Sequence, residues 1–443
     1  MNAFALLLPC HLTPAPEVRG TWLTTTANEA ISTPQNTAMT MRRLRDLGLN
    51  TVYTEVWKDG YTEFPSETMR KLTGVPLRVN PSPSGSLQRD LLQETLIEAH
   101  RNQLIYVAWF EYGFMAAYKD THNHLRVRKD WLSRDKDGNE VAKNGFVWLN
   151  PLHPDAQRLL LSIVKEAIQK YDLDGIQLDD RIVWPYIDMG YDDYTKALYA
   201  KEHEGSLPPD DPRDPGWIAW RQLKVEEFSK RFVAEVRKAA GPNFIISLSP
   251  GPHPWALENY LIDWPKWSRW QGTPTWDEYL PQVYRFNYAD FERDWNQQVQ
   301  FMGSRNKDLI AGIRLTGDGP DAARNEIAKH AELPRQTKSM GHCWWYSKGV
   351  LDVFSKEIAD FYDVPKLGHA PHPRFGSDHR PKPFVASREG KGRWSAELGP
   401  GKYRVIAFHD GTWRQIRVLI VSEPSRQTIT ADADAVEFLV SRR

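Results

Sequence analysis

Cysteine is nearly absent: the 443 residues hold two, Cys10 and Cys343. Two cysteines cannot staple a chain of this length, and they give no signal for or against export. Net charge is absent as well. The 57 Lys and Arg balance 57 Asp and Glu, so there is no global basic field, and nucleic acid is not an expected partner. No apolar run approaches the roughly 18 residues that a membrane helix needs, so no transmembrane segment is expected. Nothing like G-x-G-x-x-G follows the first strand, and P-loop, G-x-S-x-G and H-E-x-x-H motifs are missing. His122-Asn123-His124 and His369/His372 have ligand-like spacings but no companion set, so neither a metal nor a cofactor is expected.

Tryptophan is the abundant residue, at 18, with 31 proline. Trp serves equally as core volume or as a flat, amphipathic surface for a ring-shaped ligand. The N-terminus reads MNAFALLLPC, an apolar stretch without a basic start. Residues 1–18 are read as a signal remnant or flexible N-terminus. Leu-Leu-Pro-Cys suggests a lipid anchor on Cys10, although Pro before the Cys departs from a lipoprotein signal.

From 19 to 365 short apolar strands alternate with longer amphipathic segments. The expected strands are 19–25, 51–57, 104–111, 174–180, 243–250, 279–286, 308–314 and 341–347. Thr33-Pro34 caps the first helix and Gly48 ends it. Further helices are expected near 90–102, 154–171, 216–239, 288–302, 320–332 and 353–363. Eight β-then-α units describe an α/β fold, a (β/α)8 TIM barrel. The long connections 58–88, 112–152 and 181–215 all follow strands, which places them on the face where such barrels carry their sites. Residues 366–383, rich in Pro, His and Gly, read as a linker. Residues 384–443 read as a small all-β, sandwich-like module, with Asp410-Gly411 as a hairpin turn.

Strand ends carry the chemistry-bearing residues. In Gly175-Ile176-Gln177-Leu178-Asp179-Asp180-Arg181, alternation puts Gln177 and Asp179 on the same inward face. Asp179 and Asp180 are catalytic candidates beside Arg181. Strand 2 ends Tyr53-Thr54-Glu55-Val56-Trp57, with Glu55 against strand propensity. Strand 3 ends Trp109-Phe110-Glu111-Tyr112, and a Glu among aromatics favours a neutral acid. The bland alternative for both Glu residues is an ion pair with Arg181, Arg285 or Arg314. Gln282, Tyr284 and Arg285 from strand 6, and Trp344 and Trp345 from strand 8, complete the set. Only one of the two adjacent Trp can face the mouth. Trp57, Tyr112, Gln177, Arg181, Gln282, Tyr284, Arg285, Arg314, Trp344 and Trp345 are the substrate-binding candidates. Paired carboxylates with aromatic walls are the kit for glycoside hydrolysis. A non-catalytic glycan-binding barrel explains the aromatics equally well, but not the carboxylates.

The segments RGTWLTT, LRDLGLNTVYTEVW, EAHRNQLIYVAWFEYG, KYDLDGIQLDDRIVWP, ISLSPGP, DWPKWSRW, LPQVYRF and AGIRLTGD resemble the glycosyl-hydrolase-like 10 family of bacterial proteins. The resemblance covers about 19–365. It implies a (β/α)8 barrel and a cell-envelope location, periplasmic or as an outer-membrane lipoprotein. It also implies cleavage of peptidoglycan glycan strands, particularly those stripped of stem peptides. Strand 4 also looks like the Gly-x-Arg-x-Asp element of the α-amylase and α-galactosidase clans. That likeness would make Asp179 the nucleophile, but Gln177 stands in the place of its Arg.

Overall fold

The computed structural model describes residues 14–26, 28–78, 89–376 and 380–442; Cys10 and residues 1–13 of the segment read as a signal or flexible N-terminus lie outside them, while its last two residues, Glu17 and Val18, are buried and Val18 opens the first strand. Eight parallel strands form one sheet. They are β1 (Val18–Leu23), β2 (Thr51–Glu55), β3 (Ile105–Phe110), β4 (Gly175–Asp179), β5 (Ile245–Ser249), β6 (Glu278–Tyr279), β7 (Ile310–Arg314) and β8 (Gly341–Trp345). Neighbours follow chain order from β6 back to β1, and then β8 and β7. Parallel bridges Tyr279–Leu309 and Gln282–Gly312 close the seam between β6 and β7. The expected TIM barrel is therefore present.

The helices that wrap it are α1 (Pro34–Asp46), α2 (Leu91–Arg101), α3 (Pro154–Lys170), α4 (Pro215–Ala240), α5 (Tyr288–Met302), α6 (Ile327–Gln336) and α7 (Ser355–Tyr362). Thr33 Oγ1 accepts from Asn36 N–H at 3.1 Å, and Pro34 opens α1. Between β5 and β6 stand only the short helices Trp255–Tyr260 and Trp264–Trp267. Helix α6 begins later than the 320–332 expectation, because Gly319-Pro320 keeps the preceding segment in a loop.

The largest local departure is β6. Residues 279–286 read as one strand, but the ladder covers Glu278–Tyr279 and then only the single bridge at Gln282. Pro281 has no N–H to donate. Its carbonyl instead accepts from Gly312 N–H at 3.2 Å.

Side chains alternate as the strand period demands. Outward residues such as Val52, Tyr106, Ile176, Leu178, Ile246 and Trp344 pack under the helices. Inward residues such as Val18, Trp22, Tyr53, Val107, Trp109, Ile245 and Cys343 fill the barrel. Gly175 is inward, and a Cβ there would lie 2.6 Å from Ile245 Cβ, so a larger residue would force β4 and β5 apart. A polar column runs down the interior. Trp22 Nε1–H donates to Gln177 Oε1 (2.7 Å), Gln177 Nε2 donates to Ser247 Oγ (3.0 Å), and Tyr53 O–H donates to Glu278 Oε2 (3.2 Å).

The C-terminal residues form two antiparallel sheets, of four and three strands, over a shared core that includes Trp394, Tyr403, Val405 and Phe438. At the Asp410-Gly411 turn both residues have positive φ, 50° and 76°, the geometry of a tight primed hairpin. The strand Ser425–Thr430 pairs antiparallel with Arg393–Leu398. The module docks on α2 through Ile97, Ile406, Trp413 and Leu439. The connection before it packs beneath the barrel: Glu17 N–H donates to Pro371 O (3.1 Å) and Asn50 Nδ2 to Ala370 O (3.1 Å). Among the described residues no helix is long and apolar enough to cross a membrane.

Candidate active site

The C-terminal ends of β2, β3 and β4 bring Glu55, Glu111 and Asp179 to the barrel mouth. Asp179 is 3% exposed and surrounded by donors. Arg181 Nη1 lies 2.6 Å and Trp109 Nε1 3.2 Å from its Oδ2; Gln282 Nε2 and Asp180 N–H (2.7 Å) donate to its Oδ1. Gln282 is itself held by Ser249 O at 3.1 Å. Burial pushes the Asp179 carboxyl up, Arg181 pulls it down and Asp180 pushes it up again, to about 7. Asp180 stands 3.3 Å from the same guanidinium nitrogen.

Glu55 and Glu111 form a second pair around one cation, with Lys58 Nζ 2.8 Å from Glu55 Oε1 and 3.5 Å from Glu111 Oε2. Two buried acids beside a single ammonium favour one negative charge between them. Burial and the charge of Glu55 hold Glu111 well above the usual carboxylate range, against Lys58 and Arg181. Burial opposes ionisation of Glu55 as well. The neighbouring Glu111 carboxyl, the Lys58 ammonium and the Thr25 N–H outweigh it, and Glu55 falls below the ordinary value. Two neighbouring acids are thus driven apart, the pattern expected of an acid–base site.

An aromatic floor closes the barrel beneath. Trp345 stacks on Tyr284 at 5.4 Å and 28°, and lies 5.8 Å from Trp22 and 6.1 Å from Trp109. The Tyr284 hydroxyl is buried and has no hydrogen-bond partner. To one side Tyr260 feels the charge of Asp180. Tyr260 O–H accepts from Asn144 Nδ2 (3.0 Å) and packs 5.2 Å from Trp255, which is 45% exposed.

Several expected site residues are placed elsewhere. Trp57 is 1% exposed in the outer core, with Nε1–H donating to Gly113 O (3.1 Å). The strand stops at Glu55, so the alternation that would aim Trp57 inward ends there. Tyr112 is 6% exposed and packs edge-on against Phe146 at 6.0 Å. Trp344 is the outward member of its pair and donates to the Tyr362 hydroxyl at 2.9 Å. Gln177 faces inward as expected but lies wholly buried below Asp179, its amide engaged by Trp22 and Ser247. Arg285 leaves the mouth for Asp294. Arg314 braces the loop after β7 through Pro320 O (2.6 Å) and Asp318 O (2.9 Å). The mouth therefore retains Asp179, Asp180, Arg181, Glu111, Glu55, Gln282, Tyr284 and Trp345. Lys58, Thr25 and Trp22 escaped the sequence reading. Alternation from Gly20 would have turned Trp22 inward, whereas nothing local marks Lys58 as the cation that Glu55 and Glu111 share. Among the described residues no three His, Cys, Asp or Glu side chains converge as a metal site.

A parallel barrel with acids and aromatics at its strand ends has the architecture of the glycoside hydrolases. Two solved structures share the fold. The glycoside hydrolase domain of PgaB (BpsB) from Bordetella bronchiseptica superposes with a TM-score of 0.57 at 14% identity, over 80% of this chain and 99% of that one. The α-L-fucosidase isoenzyme 2 of Paenibacillus thiaminolyticus gives 0.54 at 16% identity, over 79% and 49%. Residues 17–317 match the family described as Glycosyl hydrolase-like 10, and the chain belongs to that family. Curated relatives include the glycosyl hydrolase DigH of Escherichia coli K12, 27% identical over 187 residues, which is 37% of this chain and 41% of that protein. An S-layer-related protein of Niallia circulans is 23% identical over 281 residues, 56% of this chain and 17% of that protein. The chain thus spans less than half the length of the curated relatives it matches.

Proposed function

We propose that this barrel is a glycosidase of the cell envelope acting on peptidoglycan glycan strands, foremost strands stripped of their peptides. The observation that carries the reading is the contrast between Glu111 and Asp179. They end adjacent strands, roughly 4.8 Å apart in the hydrogen-bonding direction. Burial and the neighbouring Glu55 hold Glu111 well above the usual carboxylate range, while Asp179 accepts from Arg181, Gln282, Trp109 and Asp180 N–H. Glu111 is suited to protonate the leaving glycosidic oxygen. Asp179 is suited to act as nucleophile or to stabilise the positive charge that develops on the ring. Asp180 and Glu55 position these two. Gln282, Tyr284 and Trp345 offer polar and stacking contacts to the sugar, and the exposed face of Trp255 suits a second ring.

The envelope location rests on the family resemblance and on the relative named as an S-layer-related protein. A lipid anchor at Cys10 belongs to the same proposal. A non-catalytic glycan-binding barrel is favoured by one observation: the oxygens of Asp179 are already engaged by protein donors. One experiment separates the two readings. The protein is incubated with intact and amidase-stripped sacculi, and soluble fragments are identified by mass. Release of glycan fragments from stripped sacculi supports the glycosidase; binding without release supports the alternative, and neither defeats both.

A further inference from the structure

Strand β2 ends at Glu55, and the hairpin of Trp57–Lys58 with Tyr61–Thr62 folds the chain back over it. That turn brings Lys58 Nζ to 2.8 Å from Glu55 Oε1 and 3.5 Å from Glu111 Oε2. From β1's end, Thr25 places its N–H at 2.5 Å and its hydroxyl at 2.7 Å from Glu55 Oε2. The donors are therefore unevenly shared. Glu55 receives three close contacts, while Lys58 stands farther, at 3.5 Å, from Glu111 Oε2. Lys58 is 14% exposed, so its charge acts largely inside the protein.

We propose that Lys58 is a positioning residue: with Thr25 it holds the negative charge on Glu55 and so leaves Glu111 protonated. This rests on the reading of Glu111 as the acid. The charged and titratable groups facing Glu111 are Glu55 from β2, Lys58 from the hairpin, Arg181 from the loop after β4, and Tyr112, its neighbour in the chain. The directions agree with the geometry, since Glu55 is held low and Glu111 high.

The test exploits opposite signs. Removing the cation makes the second ionisation of the pair harder. Removing the charge of Glu55 makes it easier. Lys58→Met should therefore raise the upper titration step by about one pH unit or more, and Glu55→Gln should lower it by a similar amount. Lys58→Arg should leave it near the wild-type position. The step is read twice, as the basic limb of the pH–rate profile on stripped glycan, and as a 13C titration of the glutamate carboxyls with Glu111→Gln identifying the resonance. The second reading does not depend on turnover. If Lys58→Met fails to fold, Thr25→Val removes one donor from Glu55 and should shift the step upward by less. Opposite shifts support the proposal; no shift, or shifts of one sign, overturn it. Opposite carboxyl shifts in a protein that cleaves no glycan would leave the charge assignment standing and remove the glycosidase reading.

Discussion

Two aspartates bracket β4, and they live in opposite electrostatic worlds. Asp174, at the start, is buried at the bottom of the barrel. Its oxygens meet Arg380, His100 Nε2 (2.9 Å) and Tyr106 N–H (2.9 Å), and Arg404 adds its donor to the other nitrogen of His100. Burial alone would raise Asp174, but Arg380 and His100 outweigh it and hold it far below the usual range. Asp179, at the end of the same strand, is equally buried yet pushed up to about 7. The bottom matches its charges and joins two parts of the chain: Arg380 and Arg404 come from the C-terminal residues, and Arg101 of α2 reaches Glu437 at 2.8 Å. The mouth leaves acids facing acids. Burial is common to both regions; whether positive partners suffice separates a structural aspartate from a chemically poised one.

Removing one charge at each end of β4 separates the two roles. Asp174→Asn leaves Arg380 and Arg404 buried with too little negative charge. It should cost about 3–5 kcal/mol of stability, read as a lower midpoint in urea, with turnover per folded molecule retained. Their pH signs also oppose. The depressed Asp174 contributes stability that is present above its unfolded value of 3.8 and lost as pH falls through its folded value. Glu278, in the barrel interior, is raised from 4.5 to about 7 by burial and Asp277 against Arg374. It therefore costs stability as pH rises from 4.5 to 7, roughly 3 kcal/mol across the window. Glu278→Gln should abolish that slope in unfolding curves measured between those pH values.

At the mouth, Asp179→Asn should lower turnover of stripped glycan at least about a hundredfold with the folded state kept. Near-normal turnover with an unchanged unfolding midpoint would sink its assignment. In the wild type, turnover should rise toward pH 7 as Asp179 ionises and fall again as Glu111 loses its proton, which a pH–rate profile reads. The smallest effect is expected at Trp255. Trp255→Ala should weaken binding of long glycans by about 1 kcal/mol, roughly fivefold in KM, and leave kcat on the shortest substrate unchanged.

Alternation along β4 was readable in Gln177 and Asp179 because a strand has a strict period of two. The same rule required one of Trp344 and Trp345 to turn outward without saying which. It failed at Trp57 because pairing stops at Glu55, and in the β6 segment because Pro281 interrupts the ladder. Those are events of partner strands, which local pattern does not contain. Lys58 and Thr25 were missed for the same reason, since their meaning arises only where β1, β2 and β3 converge.

The abundant Trp illustrates the division. Trp22, Trp57, Trp109, Trp148, Trp184, Trp217, Trp264, Trp267, Trp276, Trp295 and Trp344 are fully buried, so most of this residue serves packing rather than a ligand surface. By itself the sequence determined eight β/α units, the inward face of β4 and the family, because those follow from periodicity and motif order. Which acids share a cation, which arginines leave the mouth, and which aromatics form its floor were decided only by tertiary structure. Protonation and contact depend on the distance between groups far apart in the chain, and a linear pattern carries no distance.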